Sequence, residues 1–486
     1  MNKQSKPAVL LVGLMLISIV AATSANLGPV KATAELPTEI KIGGVFPIVK
    51  RPDAGRDRRD AFLMAVEEIN AQTGTDRILP EGVKLVSNVQ DDDNTAAGGA
   101  AAAQALIAWG AHIICGSSGS SVSAAMATEL TPHKIVQISY ASSSPALSDR
   151  ELYPYFMRVV ASDADQGRAI ADLVQAFGWA RGATVHTSDS YGTGLIEVFT
   201  EIYEERGGTV ITDQIFDPGA TEVSAQVQAL KDANPQFILG NFIDVDAATC
   251  MKKARDLGLT DVPWITTDGW STTATFMGDP SVKEAMQLSI GTTPAPVTAP
   301  GYAKFNESWF DPAWAHLEGP KLSQDTGIMF NAYAPMSYDA VYVAAKGLAA
   351  ANSVDGDALL AALYDIEHDG ASGYIRFNEL GEVVGRYDFV QLVGGTYTSF
   401  GEWGLPPGAT MGASMFTDTS LLLADGTGWT IADNKVTQVE GPPITTLTTQ
   451  IVTTVVPEFG NEILGVIFSL GLAGLTPMVF RRKRRK

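Results

Sequence analysis

The sequence predicts an α/β fold built on parallel sheets. Two observations carry this. From Ile40 to Thr266, short apolar runs that end in Gly, Ser, Thr, Asp or Pro alternate with longer stretches of helical periodicity. Strands separated by helices pair in parallel as βαβ units. The rhythm also breaks and restarts near Ser162, which implies two such assemblies rather than one. The chain, at 486 residues and 45% apolar, is long enough for two or three domains with a real core.

The elements follow in order. Glu39-Ile40-Lys41-Ile42-Gly43-Gly44-Val45-Phe46 reads as a strand running into a polar, basic loop over 50–59. A helix over 57–70 would bury Phe62, Leu63, Val66 and Ile69 at helical spacing. A second strand at 82–86 ends in Gln90-Asp91-Asp92-Asp93-Asn94, and an Ala-rich helix runs to Trp109. The three successive carboxylates read as an acidic strand end feeding a capped helix rather than a metal site.

His112-Ile113-Ile114-Cys115 and Ile135-Val136-Gln137-Ile138 are strands that each enter a Ser/Gly-rich turn, 116–121 and 139–145. Ligands of open α/β sheets bind beyond the carboxyl ends of the strands, where helix N-termini offer free N–H groups to an anion. One such turn is an ordinary cap. Two in consecutive βα units read as a binding floor for a small anionic group such as a carboxylate.

After the restart, strands at 183–186, 209–215, 237–240 and 264–266 alternate with helices, and Asp189-Ser190-Tyr191-Gly192-Thr193-Gly194 forms a turn at a strand end. Residues 291–300, rich in Pro, Thr and Ala, read as a crossing segment. A helix follows at 338–351, and the chain from Gly373 onward is richer in β residues.

Both ends read as targeting segments. Lys3 and Lys6 precede an apolar run over 8–22 and small-residue cleavage sites, so 1–34 reads as a signal peptide. Residues 441–456 form a Thr-rich stalk. Residues 463–480 carry no charge and precede Arg481-Arg482-Lys483-Arg484-Arg485-Lys486, as expected of a membrane span with a cytoplasmic basic tail. With Pro457-Glu458-Phe459 before the span, 457–486 resembles the PEF-CTERM sorting signal of archaeal surface proteins, which implies a membrane anchor or its exchange for a lipid.

The ordered motifs over 40–400 resemble the branched-chain amino-acid binding proteins of ABC importers. Ala65-Val66-Glu67-Glu68-Ile69-Asn70, Gln90-Asp91-Asp92-Asp93, the two serine turns, 189–194 and Ala334-Pro335-Met336-Ser337-Tyr338-Asp339-Ala340 carry the resemblance. It implies a type I periplasmic-binding fold: two Rossmann-like lobes joined by three hinge crossings, near 160, 290 and 370. The first lobe is then 38–160 plus 290–370, and the second 161–289 plus 371–440.

The resemblance also implies site roles. Ser120 and Ser143, with Ser121 and Ser142 beside them, fall where the family holds a ligand carboxylate. The Ala141 carbonyl falls where the ligand ammonium donates. Tyr191, Phe242 and Asp268 fall on the facing wall, with Asp268 pairing the ammonium. A zwitterion needs donors on one side and a carboxylate on the other.

The loop 50–59 departs from the family pattern with five basic residues in ten. It is either a solvated patch or brings an arginine, with Arg56 the candidate, to an extra acidic group on the ligand. Trp270 is a second candidate for setting specificity.

The leading expectation is an extracytoplasmic solute-binding component that delivers an amino acid or related amide or carboxylate to an ABC permease. The alternative is a sensor on the same fold. Formal net charge is −20, which argues against a nucleic-acid partner. No nucleophile elbow, Walker loop or dinucleotide signature is present, so neither an enzyme nor a cofactor is expected. The five histidines form no metal-spaced cluster. Cys115 and Cys250 read as two buried thiols, with one disulfide as the alternative.

Overall fold

The computed structural model describes residues 35–270, 278–294, 300–327, 329–393, 396–404, 413–416, 419–423, 427–432 and 435–439. The expected signal peptide, stalk and sorting signal lie outside these residues. Among the described residues, no helix is long and apolar enough to cross a membrane.

The first lobe opens with β1 (Glu39–Phe46), α1 (Pro52–Ala71), β2 (Lys84–Asp91), α2 (Ala96–Trp109), β3 (Ile113–Cys115), α3 (Ser120–Leu130), β4 (Val136–Ser139) and β5 (Phe156–Ala161). Helix α1 starts at Pro52, five residues ahead of the start read from the sequence. Proline has no N–H to lose at a first helical position, and its fixed φ suits the turn. Most of the basic stretch 50–59 is therefore helix rather than loop. The apolar face of α1, with Phe62, Ala65, Val66 and Ile69, packs with Ile40, Ile42, Ile113, Val136 and Ile138 of the sheet. Each large side chain buried there contributes about 1.5–3 kcal/mol.

The second lobe begins with α4 (Asp163–Ala176) and continues through β6 (Arg181–Thr187), α5 (Ser190–Glu205), β7 (Thr209–Phe216), α6 (Ser224–Ala233), β8 (Phe237–Asn241), α7 (Asp244–Asp256), β9 (Trp264–Thr266), α8 (Pro280–Ala285) and β10 (Ile290–Pro294). The chain then returns to the first lobe. Helices α9 (Pro300–Trp309), α10 (Glu318–Thr326), α11 (Ala334–Ala351) and α12 (Gly356–Leu363), the hairpin β11 (Glu367–Gly370) and β12 (Gly373–Arg376), and β13 (Glu382–Val383) follow. It ends in β14 (Tyr387–Val393), β15 (Thr396–Gly404), β16 (Ala413–Phe416) and the three-stranded sheet β17 (Thr419–Leu422), β18 (Gly428–Ala432) and β19 (Lys435–Gln438).

The first sheet has the order β13-β5-β4-β3-β1-β2 and is parallel throughout. The second has the order β16-β15-β14-β10-β9-β8-β6-β7. Its strands β6 to β10 are parallel, and β14 to β16 extend it antiparallel. Helices cover both sheets, so the fold is the two-lobed α/β architecture expected.

Strand pairing moves two of the expected crossings. The first stays at 161–163, between β5 and α4. Residues 290–294 belong to the second sheet, because Ile290 and Gly291 pair with Ile265 and Thr266. The return to the first lobe, after Pro294 and before Pro300, lies outside the described residues. Residues 371–383 stay with the first lobe: Ile375 and Phe377 are buried in its core and Glu382 pairs with Arg158 of β5. The third crossing is 384–386. Composition misled at both places, since a Pro/Thr-rich strand and a short β hairpin look like linker and new sheet until their partners are known. Cys115 and Cys250 are free, buried thiols.

Candidate ligand-binding site

In each sheet the strand order reverses beside its first strand. β1 lies between β2 and β3, and β6 lies between β7 and β8. Connections leave such neighbours toward opposite faces and open a crevice at the carboxyl ends of the strands. Here the two crevices face each other across a cavity of about 240 Å³. Every parallel strand from β1 to β4 and from β6 to β9 delivers lining residues from the segment after its last residue: Arg51 and Arg58, Asn94 and Thr95, Ser118, Gly119, Ser121 and Val122, Ala141, then Asp189 and Tyr191, Pro218, Ile243 and Asp246, and Asp268 with Gly269. Tyr333, just before α11, completes the first-lobe wall.

The cavity carries opposite charge on its two walls. Arg51 and Arg58 stand on the first lobe; Asp189, Asp246 and Asp268 stand on the second. Helices α3, α5 and α7 also begin at its edge, so their unpaired N–H groups add partial positive charge. Asp189 caps α5, accepting from the Gly192 N–H at 2.9 Å and from the Thr187 hydroxyl at 2.9 Å. Burial pushes the Asp246 carboxyl up to about 6.

Arg58 is among the most buried residues of the lining. Its relative accessibility is 2%, its Nε donates to Asn331 Oδ1 at 3.1 Å, and its Nη1 has no hydrogen-bond partner. Its guanidinium carbon lies 4.9 Å from the centre of the Tyr333 ring. Burial, aided by the neighbouring Arg51 charge, brings the guanidinium down to about 10. A buried cation is costly unless a counter-charge meets it. Arg51 reaches across the cleft to Asp244 at 2.9 Å, and its Nε likewise has no partner.

The two lobes are also joined at Asp268. Tyr191 of the same lobe donates to Asp268 Oδ1 at 2.9 Å, and Tyr333 of the opposite lobe donates to Oδ2. Ser144 and Ser190 hydroxyls meet across the lobes at 3.0 Å. At the first crossing, the Ser143 hydroxyl donates to Asp163 Oδ2 at 3.0 Å. Asp163 is fully buried, its Oδ1 has no partner, and burial, then the charge of Asp268, hold its carboxyl well above the ordinary range.

Of the residues singled out from the sequence, Ser121, Ala141, Tyr191 and Asp268 line the cavity. Ser120, Ser142, Ser143, Phe242 and Trp270 are buried around it. Ser120 Oγ accepts from the Ser144 N–H at 3.2 Å, and Ser142 Oγ donates to the Ser117 carbonyl at 3.1 Å. Ser143 serves Asp163. These hydroxyls brace the two turns against each other. Phe242 stacks on Trp270 with ring centres 4.8 Å apart, and Trp270 Nε1 donates to the Gly240 carbonyl at 3.0 Å. Both rings are buried behind the second-lobe wall.

Arg56 is held by Asp57 at 3.0 Å and Asp53 at 3.3 Å and does not line the cavity. The basic stretch does send arginines to the cleft, but they are Arg51 and Arg58. Two helical turns separate them, which places them on one face of a helix beginning at Pro52. That spacing was the available signal. Tyr333 had none.

A family model described as the receptor family ligand binding region matches residues 57–395. The chain belongs to that family. Metabotropic glutamate receptor 6 of Oryctolagus cuniculus is 26% identical over 487 residues, covering 80% of this chain and 55% of the receptor. Metabotropic glutamate receptor 4 of Macaca fascicularis is 26% identical over 435 residues, covering 73% of this chain and 47% of the receptor. The chain thus spans about half the length of the curated relatives it matches. Among solved structures, a leucine-binding protein of Thermotoga maritima superposes with a TM-score of 0.65 at 23% identity, covering 74% of this chain and 97% of that one. It shares the two-lobed periplasmic-binding fold. The family is one of ligand-binding domains, and the cleft described above is where its two lobes meet.

Proposed function

We propose that this chain is an extracytoplasmic solute-binding component of an ABC importer whose ligand is an amino acid bearing a second carboxylate. The observation that carries the choice of ligand is Arg58, a buried guanidinium with a partnerless Nη1 on the wall facing Asp268 and Asp246. Asp268 and the Ala141 carbonyl suit an ammonium group. The α3 N-terminus with Ser121 suits the α-carboxylate, and Arg58 with the Arg51 Nε suits the additional acid. The names of the receptor relatives agree with an acidic amino acid.

The second reading is a sensor on the same fold, favoured by those same relatives being receptors. A leader over 1–34 and a span with a basic tail over 457–486, as expected from the sequence, would suit a protein held at the outer face of a membrane in either case. A partner settles the choice: delivery needs a permease, signalling an output protein.

The test is calorimetric titration of the purified protein with L-glutamate, L-aspartate and L-leucine, repeated on Arg58→Met. Acidic ligands bind and leucine does not. Arg58→Met weakens acidic ligands by roughly 30-fold or more, the cost of stripping one partner from a buried charge pair. Leucine binding as tightly as glutamate, or an R58M protein with unaltered affinity, refutes the assignment. Reconstitution with candidate permeases in vesicles separates import from sensing.

A further inference from the structure

Tyr333 touches both charged poles of the cleft and belongs to neither. It lies just before α11, and its turn is tightly built. Its N–H donates to Asn331 Oδ1 at 3.1 Å, the same oxygen that receives Arg58 Nε. The Asn331 N–H donates in turn to Asp57 Oδ2 at 2.9 Å. The side chain is 5% exposed, with its ring on the Arg58 guanidinium and its hydroxyl donating to Asp268 of the opposite lobe. Tyr191 occupies the other Asp268 oxygen.

We propose that Tyr333 is the specificity-determining residue of the cleft, a rigid spacer that fixes the distance between the ligand's extra acid at Arg58 and its ammonium at Asp268 and links that distance to closure. A phenol ring has no internal torsion, so with the backbone held by Asn331 its length is set. When the lobes close far enough for the hydroxyl to reach Asp268, the separation of the two poles is set as well. A ligand of matching span keeps the Tyr333–Asp268 bond. A longer one holds the lobes apart and loses it. The phenol stays a donor throughout, because burial, then the charge of Asp268, push its ionisation well above the usual range.

This inference rests on Arg58 and Asp268 being the two poles of the ligand site. The test uses the full chain with Tyr333→Phe and Tyr333→Ala, titrated with L-aspartate, L-glutamate and L-2-aminoadipate, and small-angle scattering of each protein without ligand. Y333F keeps the ring and loses only the hydroxyl. It scatters as a more open molecule and binds the probe of matching span roughly tenfold more weakly, while a probe too long to keep the bond is little changed. Y333A moves the preference toward the longest probe.

An Y333F protein with wild-type scattering and affinity overturns the clasp. A wild-type protein that binds the probes while Y333A keeps the wild-type order overturns the spacer alone. A wild-type protein that binds none of the three overturns the ligand reading and the spacer with it.

Discussion

Replacing Arg158 by Met should destabilise the protein far more than an ordinary surface change. Arg158 sits on β5 at 1% exposure and pairs with Glu382 of β13, itself 7% exposed. Its Nε donates to Glu382 Oε2 at 3.0 Å, and its Nη2 reaches the same oxygen and the Ser148 hydroxyl at 2.9 Å. Its Nη1 holds the carbonyls of Ser142 and Ser144 at 3.2 and 2.8 Å. Methionine fills comparable volume but leaves a buried carboxylate with the Ser148 hydroxyl and no guanidinium, and the Ser142 carbonyl without its guanidinium donor, while the Ser144 carbonyl keeps the Leu147 N–H at 3.2 Å.

Uncovering one member of a buried pair costs about 3–5 kcal/mol. The stranded Ser142 carbonyl adds to that, so the upper end applies. The double variant R158M/E382M removes the orphaned charge and should be less damaged than R158M by about 1–3 kcal/mol. Urea denaturation of wild type, both single variants and the double variant gives the cycle. An R158M cost under about 1 kcal/mol, or a double variant as damaged as the sum of the singles, would refute the reasoning.

Two further predictions concern the cleft walls. Asp163→Asn tests the buried carboxyl at the first crossing. Held well above its ordinary 3.8 by burial and then by Asp268, the group is neutral when folded and ionised when unfolded above that pH. Folding therefore takes up a proton. The contribution of Asp163 is largest below pH 3.8 and declines by about 1.4 kcal/mol per unit as pH rises, until its folded value is passed. Stability of D163N relative to wild type should accordingly improve as pH rises above 3.8 in urea titrations; a pH-independent difference would count against it. Gly240→Ala puts a Cβ 2.3 Å from Trp270 Cζ2 and 2.8 Å from Phe242 Cζ. The displaced indole should cost about 1–3 kcal/mol and, by shifting the turn that carries Asp268, weaken ligand binding. An unchanged melting temperature with unchanged affinity would show that the wall gives way freely.

The sequence by itself determined the βα rhythm, the restart at Ser162 and the end of the sheets where the candidate site lies. These are local properties: an apolar run bounded by Gly, Ser or Asp declares a strand and its exit. It also determined that 50–59 was unusual, and that Asp268 and Tyr191 stand at strand ends. It could not say which hydroxyl of a serine pair faces outward. Successive helical residues point about 100° apart, so Ser121 reaches the cavity while Ser120 turns back to the Ser144 N–H, and only the packed turns fix that rotation.

The choice of arginine was likewise tertiary. Arg56 meets Asp53 and Asp57 on its own helix, whereas Arg58 faces Asn331, 273 residues away, and Arg51 faces Asp244, 193 residues away. The Tyr333–Asp268 link joins two lobes through residues 65 apart with no shared motif. Antiparallel β14 to β16 and the late third crossing follow the same rule. Pairing across a sheet or a cleft is chosen by whichever partner satisfies a buried donor or charge, and that partner exists only once the chain has folded.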